Sequence, residues 1–142
     1  MCHRFATLKR ADIMKAAESI AAELARERID LSMLDALETY RQHLSRPVDA
    51  AEAYPSSTVA VIAATGRGSQ LAVADMVWGF DAPWASSGTV YNARIESILE
   101  SQDGMWADAA ARRRCIVAVR AFFETHRSET ALDKTTGKSA KR

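Results

Sequence analysis

A chain of 142 residues has room for one domain with a modest core. Its 48% hydrophobic and 26% charged residues are ordinary for a globular protein. A net charge of +1 excludes a strongly cationic field over the whole protein, so contact with nucleic acid must come from locally placed arginines.

In chain order, the first ten residues contain no apolar stretch of signal-peptide length. From about Ala11 to Leu44 the pattern is helical. Ile13, Ala17, Ile20, Ala21 and Leu24 share one face of a first helix. A second is predicted to begin at Ser32, with Asp35 at capping-box spacing, and to end at Arg46-Pro47. Ser57–Ala64 and Leu71–Trp78 read as strands joined through Thr65-Gly66-Arg67-Gly68-Ser69 into a hairpin. That glycine pair lacks the lysine and following helix of a phosphate loop. A third strand is expected over Arg114–Val119, and Phe122-Phe123 opens a fourth after a short break. The tail from Ser128 is polar and aperiodic. Its Gly137-Lys138-Ser139 is not a P-loop ending, because Leu132 stands where the upstream glycine is needed. The division is thus one domain over residues 1–127 and a polar, mobile tail over 128–142.

Two cysteines are too few for a disulfide framework, and no spacing suggests a metal site. Cys115, in Cys115-Ile116-Val117-Ala118-Val119, reads as a small buried hydrophobe. Cys2 is different, being at a chain end. Removal of Met1 would leave an α-amine and a thiol on one residue, titrating near ~7.7–8.0 and ~8.5. Such an aminothiol condenses with an aldehyde to a Schiff base and then closes a thiazolidine ring.

Three further clusters carry chemistry. Trp78-Gly79-Phe80-Asp81-Ala82-Pro83-Trp84 holds two tryptophans that either pack a core or stack on unpaired bases, at about 1–3 kcal/mol per base. Asn92, Arg94 and Glu96 alternate, which would project them to one polar side of an extended segment. Arg112-Arg113-Arg114 leads through an aromatic strand to Glu124, which is either solvated or a general acid or base.

These clusters, in this order, resemble the SOS-response-associated peptidase family, the abasic-site processing proteins. The family motifs are Met-Cys-Gly-Arg-Phe, a Trp-Gly…Pro-Trp segment, Asn-Ala-Arg-x-Glu, and Arg-Arg-Cys leading to Gly-Phe-Tyr-Glu-Trp. Their counterparts are Met1–Phe5, Trp78–Trp84, Asn92–Glu96 and Arg113–Glu124. The resemblance implies an α+β fold: a strand-rich mixed sheet or open barrel with N-terminal helices, its C-terminal strands missing here. It implies a protein of the DNA damage (SOS) response that crosslinks to abasic sites in single-stranded DNA through the N-terminal cysteine. In that scheme Cys2 is the nucleophile, Asn92 steadies the reacting end and Glu124 is the acid/base. Arg4, Arg94 and Arg113 contact DNA, as do Trp78 or Trp84. No cofactor, metal or membrane is implied, and a cytoplasmic location is expected. The alternatives are a non-catalytic remnant with residual single-strand or protein binding, and a peptidase that releases its own N-terminal residues. The chain departs from the family at His3 and Ala121, where the family has glycine, and at Thr125, where it has tryptophan. The family also continues into a histidine motif that His43 and His126 do not match in context. Missing strands would leave sheet edges open to self-association.

Overall fold

The computed structural model describes residues 4–31, 51–65, 70–100, 104–124, 130–132, 136–137 and 139–141. Cys2, His3, His43, His126 and the expected second helix lie outside these residues.

Helix α1 (Arg10–Arg26) forms from a run rich in alanine, glutamate and other strong helix formers, with Asp12 in its first turn and Arg26 in its last. Only a narrow stripe is buried, at Ile13 and Ala17. The helix ends in a Schellman arrangement: the Ile29 N–H donates to the Leu24 carbonyl at 3.0 Å and the Arg28 N–H to that of Ala25 at 3.2 Å. Arg28 takes the left-handed position, φ 55°, where a glycine is usual.

The expected hairpin is present as β3 (Thr58–Ala64) and β4 (Leu71–Val77), antiparallel and in register from Thr58↔Val77 to Ala64↔Leu71. Backbone hydrogen bonds between Ser57 and Trp78 (2.9 Å) and between Thr65 and Gln70 (3.0 Å) extend it at both ends. The two-residue period of β3 divides its side chains between two cores. Val59, Val61 and Ala63 join Phe5, Ala53, Ala74 and Met76 on one face, whereas Ile62 meets Ile13 and Ala17 of α1 on the other. An ion pair clamps helix to sheet, with Arg10 donating to the buried Asp75 carboxylate at 2.7 Å.

Strand β1 (Arg4–Thr7) lies between β2 (Glu52–Ala53) and β8 (Val119–Phe123) in a second antiparallel sheet. The strand expected over Arg114–Val119 is interrupted. Its start, β7 (Cys115–Ile116), pairs with β3, and the chain then passes through Val117-Ala118 into β8, which pairs with β1. One segment thus serves both three-stranded sheets. The architecture is α+β, and no barrel closes among the described strands.

Short elements complete the frame: β5 (Phe80–Asp81) paired with β6 (Thr89–Val90), α2 (Ile95–Glu100) and α3 (Ala107–Arg112). Asn92, Arg94 and Glu96 therefore do not share one side of an extended segment. The helix begins at Ile95 and holds Glu96 in its first turn, where a carboxylate favours the positive helix end. The tail read as aperiodic contains a small ladder, β9 (Thr130–Leu132) with β10 (Ser139–Lys141).

Candidate active site: an apolar cavity at the junction of two sheets

Where the two sheets meet they enclose a cavity of about 450 Å³. Phe5 of β1, Val59 and Val61 of β3, and Val119 and Phe122 of β8 supply apolar walls, with Trp78, Phe80 and Tyr91 at the β4–β6 end. The polar and reactive groups of the lining are Asn92, Arg113 and Cys115.

Trp78 is a wall of this cavity and is partly buried. Its ring lies 4.8 Å from that of Phe5, tilted by 43°, and meets Tyr91 edge-on at 6.0 Å. The backbone beside it requires glycine. Gly79 has φ +124°, and a Cβ there would stand 2.4 Å from Thr89 Cγ2. Trp84 behaves differently, being 73% exposed on the loop between β5 and β6. Backbone bonds of 2.8 and 2.9 Å from Ala85 to Ala82 and from Gly88 to Ala85 shape that loop into consecutive turns.

Arg113 reaches the cavity from the end of α3. Its Nε lies 2.8 Å from Asp108 Oδ2, and its side chain is 20% exposed. Asp108 accepts a hydrogen bond from Arg112 Nε at 2.9 Å. That bond, with the charges of Arg112 and Arg113, holds the Asp108 carboxyl below its ordinary range. Cys115 is solvent-accessible as a residue, which corrects the expectation of a buried hydrophobe. Its sulfur is nonetheless hemmed in enough that desolvation pushes the thiol pKa up.

Arg4 sits on β1 with its guanidinium carbon 4.0 Å from the centre of the Phe123 ring and Nη1 3.5 Å from Glu52. Glu124 directly follows β8 and is exposed, as is Arg94, whose carbonyl accepts the Ile98 N–H at 3.2 Å. The cavity thus brings together Trp78, Asn92 and Arg113, while Arg4, Arg94, Trp84 and Glu124 are not among its lining residues. Cys2 lies outside the described residues. Sequence reasoning missed Asp108 and the place of Cys115 in the cavity wall. The four-residue spacing of Asp108 and Arg112 is the one signal that could have pointed to the first.

Among the described residues no helix is long and apolar enough to cross a membrane. None of their His, Cys, Asp or Glu side chains form a group of three able to hold a metal ion. The fold and cavity define an α+β protein with an amide, a guanidinium and a thiol converging on an aromatic pocket. A family model described as SOS response associated peptidase (SRAP) matches residues 1–138, and the chain belongs to that family. No curated protein and no solved structure matches it. Membership associates the protein with the SOS response.

Proposed function

We propose that the protein captures abasic sites in single-stranded DNA covalently, through the α-amine and thiol of Cys2 after Met1 is removed, and so shields the lesion. The amine adds to the ring-opened sugar aldehyde and loses water to give a Schiff base. The thiol then adds across the carbon–nitrogen double bond, its proton passing to nitrogen, and a thiazolidine closes with net loss of one water. Glu124 is the acid/base for the proton transfers, and Asn92 steadies the reacting end.

The observation that carries this reading is the register of β1 against β8, with Arg4↔Phe123 and Phe5↔Phe122. It sets Arg4 of β1 opposite Phe123, the residue before Glu124. Cys2 precedes Arg4 by two peptide units, a span of at most about 7.6 Å. Phe5 and Phe122 both face the cavity that Asn92 lines. Phosphate binding by Arg4, Arg94 and Arg113 suits the guanidinium fork, whose geometry matches phosphate oxygens. Trp84, standing 73% exposed, suits stacking on an unpaired base.

The test is incubation of purified protein with an oligonucleotide carrying one abasic site, followed by denaturing electrophoresis. A heat-stable shifted band is expected, absent for Cys2→Ala. No band with the natural sequence, or an equal band with Cys2→Ala, sinks the proposal. Intact-mass measurement reports whether Met1 is removed. Three phosphate contacts predict that log K falls against log salt with a slope near about −2.

A further inference from the structure

The sheet of β2, β1 and β8 has a second face, turned away from the cavity. Phe5 and Ala53 point into the core, and their neighbours Arg4, Glu52, Tyr54 and Phe123 are joined by contacts on the opposite side. One oxygen, Glu52 Oε2, accepts the Tyr54 hydroxyl at 2.9 Å and meets Arg4 Nη1 at 3.5 Å. The Arg4 guanidinium covers the Phe123 ring. The Tyr54 ring is 48% exposed, and among the described residues no other ring or cation stacks on it. Tyr54 is also held still. It opens a type II turn, Tyr54-Pro55-Ser56-Ser57, in which Ser56 takes φ 71°, the left-handed position usually given to glycine. The Ser57 N–H donates to the Tyr54 carbonyl at 2.9 Å, and the Tyr54 N–H donates to Ser57 Oγ at 3.1 Å. The Ser56 N–H donates to the Trp78 carbonyl at 2.8 Å, which fastens the turn beside a wall of the candidate site.

We infer that Tyr54 is a stacking platform for one base of the single-stranded DNA flanking the captured sugar, on the sheet face opposite the cavity. This rests on the proposed function, in which the neighbouring Arg4 meets phosphate. With its hydroxyl and both backbone groups engaged, a half-open ring gives up little freedom when a base stacks on it. The Glu52 carboxylate at its rim repels phosphate and leaves the ring to a flat, neutral group. A base is such a group, and every base presents a π-face, so the contact is blind to sequence. A protein partner would instead need apolar area around the ring, whereas Arg4 and Glu52 are what stand beside it.

Fluorescence anisotropy of a labelled, undamaged single-stranded oligonucleotide reads binding. A strand of equal length built from tetrahydrofuran spacers supplies the phosphates without the bases. Tyr54→Ala should weaken binding of the base-bearing strand about five- to a hundredfold, the loss of one stack, and leave the base-free strand unchanged. Tyr54→Phe keeps the ring and should bind nearly as the natural protein does. The slope of log K against log salt should not change in either variant, because no phosphate contact is lost. A misfolded variant would weaken on both strands alike. Equal loss on both strands, or no loss on either, overturns the inference, as does a Tyr54→Phe variant as weak as Tyr54→Ala. None of these readings needs Cys2. Tyr54 dependence that survives in a protein unable to capture abasic DNA overturns the proposed function alone. Capture with no Tyr54 dependence of binding overturns this inference alone.

Discussion

Arg4 and Phe123 are paired across the β1–β8 ladder, and the Arg4 guanidinium carbon sits 4.0 Å from the centre of the Phe123 ring. The same side chain reaches Glu52 at 3.5 Å, and Glu52 also accepts the Tyr54 hydroxyl at 2.9 Å. A residue proposed to contact DNA phosphate is therefore also part of the fold. Arg4→Ala should lower stability by about 1 kcal/mol, most of it the ring contact, since the partly exposed ion pair contributes little. Arg4→Lys should recover part of that loss. Urea denaturation reads the difference.

The two tryptophans of the Trp78–Trp84 segment should separate by assay. Trp84→Ala should leave the unfolding midpoint nearly unchanged and weaken single-strand binding by about 1–3 kcal/mol, the value of one lost stack. Trp78→Ala should instead cost about 3 kcal/mol of stability, because it removes a wall packed on Phe5 and Tyr91. Parallel denaturation and anisotropy measurements decide; equal effects of both variants on both readouts would contradict the division.

Gly79→Ala is expected to destabilise by about 2 kcal/mol or more. It combines a strained positive φ with a Cβ placed 2.4 Å from Thr89 Cγ2. The cost should appear as a lower melting temperature and, because Gly79 borders the cavity, as slower DNA capture.

Asp75→Ala tests the clamp between α1 and β4. Removing one partner of a fully buried pair costs about 3–5 kcal/mol, but Arg10 is 35% exposed and can turn to water. A loss of about 1–3 kcal/mol is therefore expected, read as a shift of the denaturation midpoint.

Cys115 sets a pH dependence whose sign follows from its raised thiol pKa. Above the ordinary thiol value, near ~8.5, the unfolded chain releases a proton that the folded chain keeps. Stability contributed by this group is thus complete below that pH and falls as pH rises toward the folded value. Cys115→Ala should flatten the alkaline side of the stability curve, and peptide mapping should show Cys115 alkylated more slowly at pH 8 than a free thiol.

Some of this was legible in the sequence. Strands β3 and β4 and helix α1 lie within a residue or two of the expected positions, because alternation and helical periodicity are properties of contiguous residues. Trp78, Asn92 and Arg113 were singled out from their local motifs and share one cavity. The extended reading of Asn92–Glu96 failed because alternation over five residues does not distinguish a short strand from a loop entering a helix.

The sequence by itself determined helix α1, the β3–β4 hairpin and the ordered motifs that mark the family. Only the tertiary structure decided that residues 115–123 divide between two sheets, that Phe5 and Phe122 face one cavity, and that position 79 needs glycine against Thr89. Propensity and periodicity act over a few neighbouring residues. Register between strands more than a hundred residues apart is set by which apolar faces must be buried together.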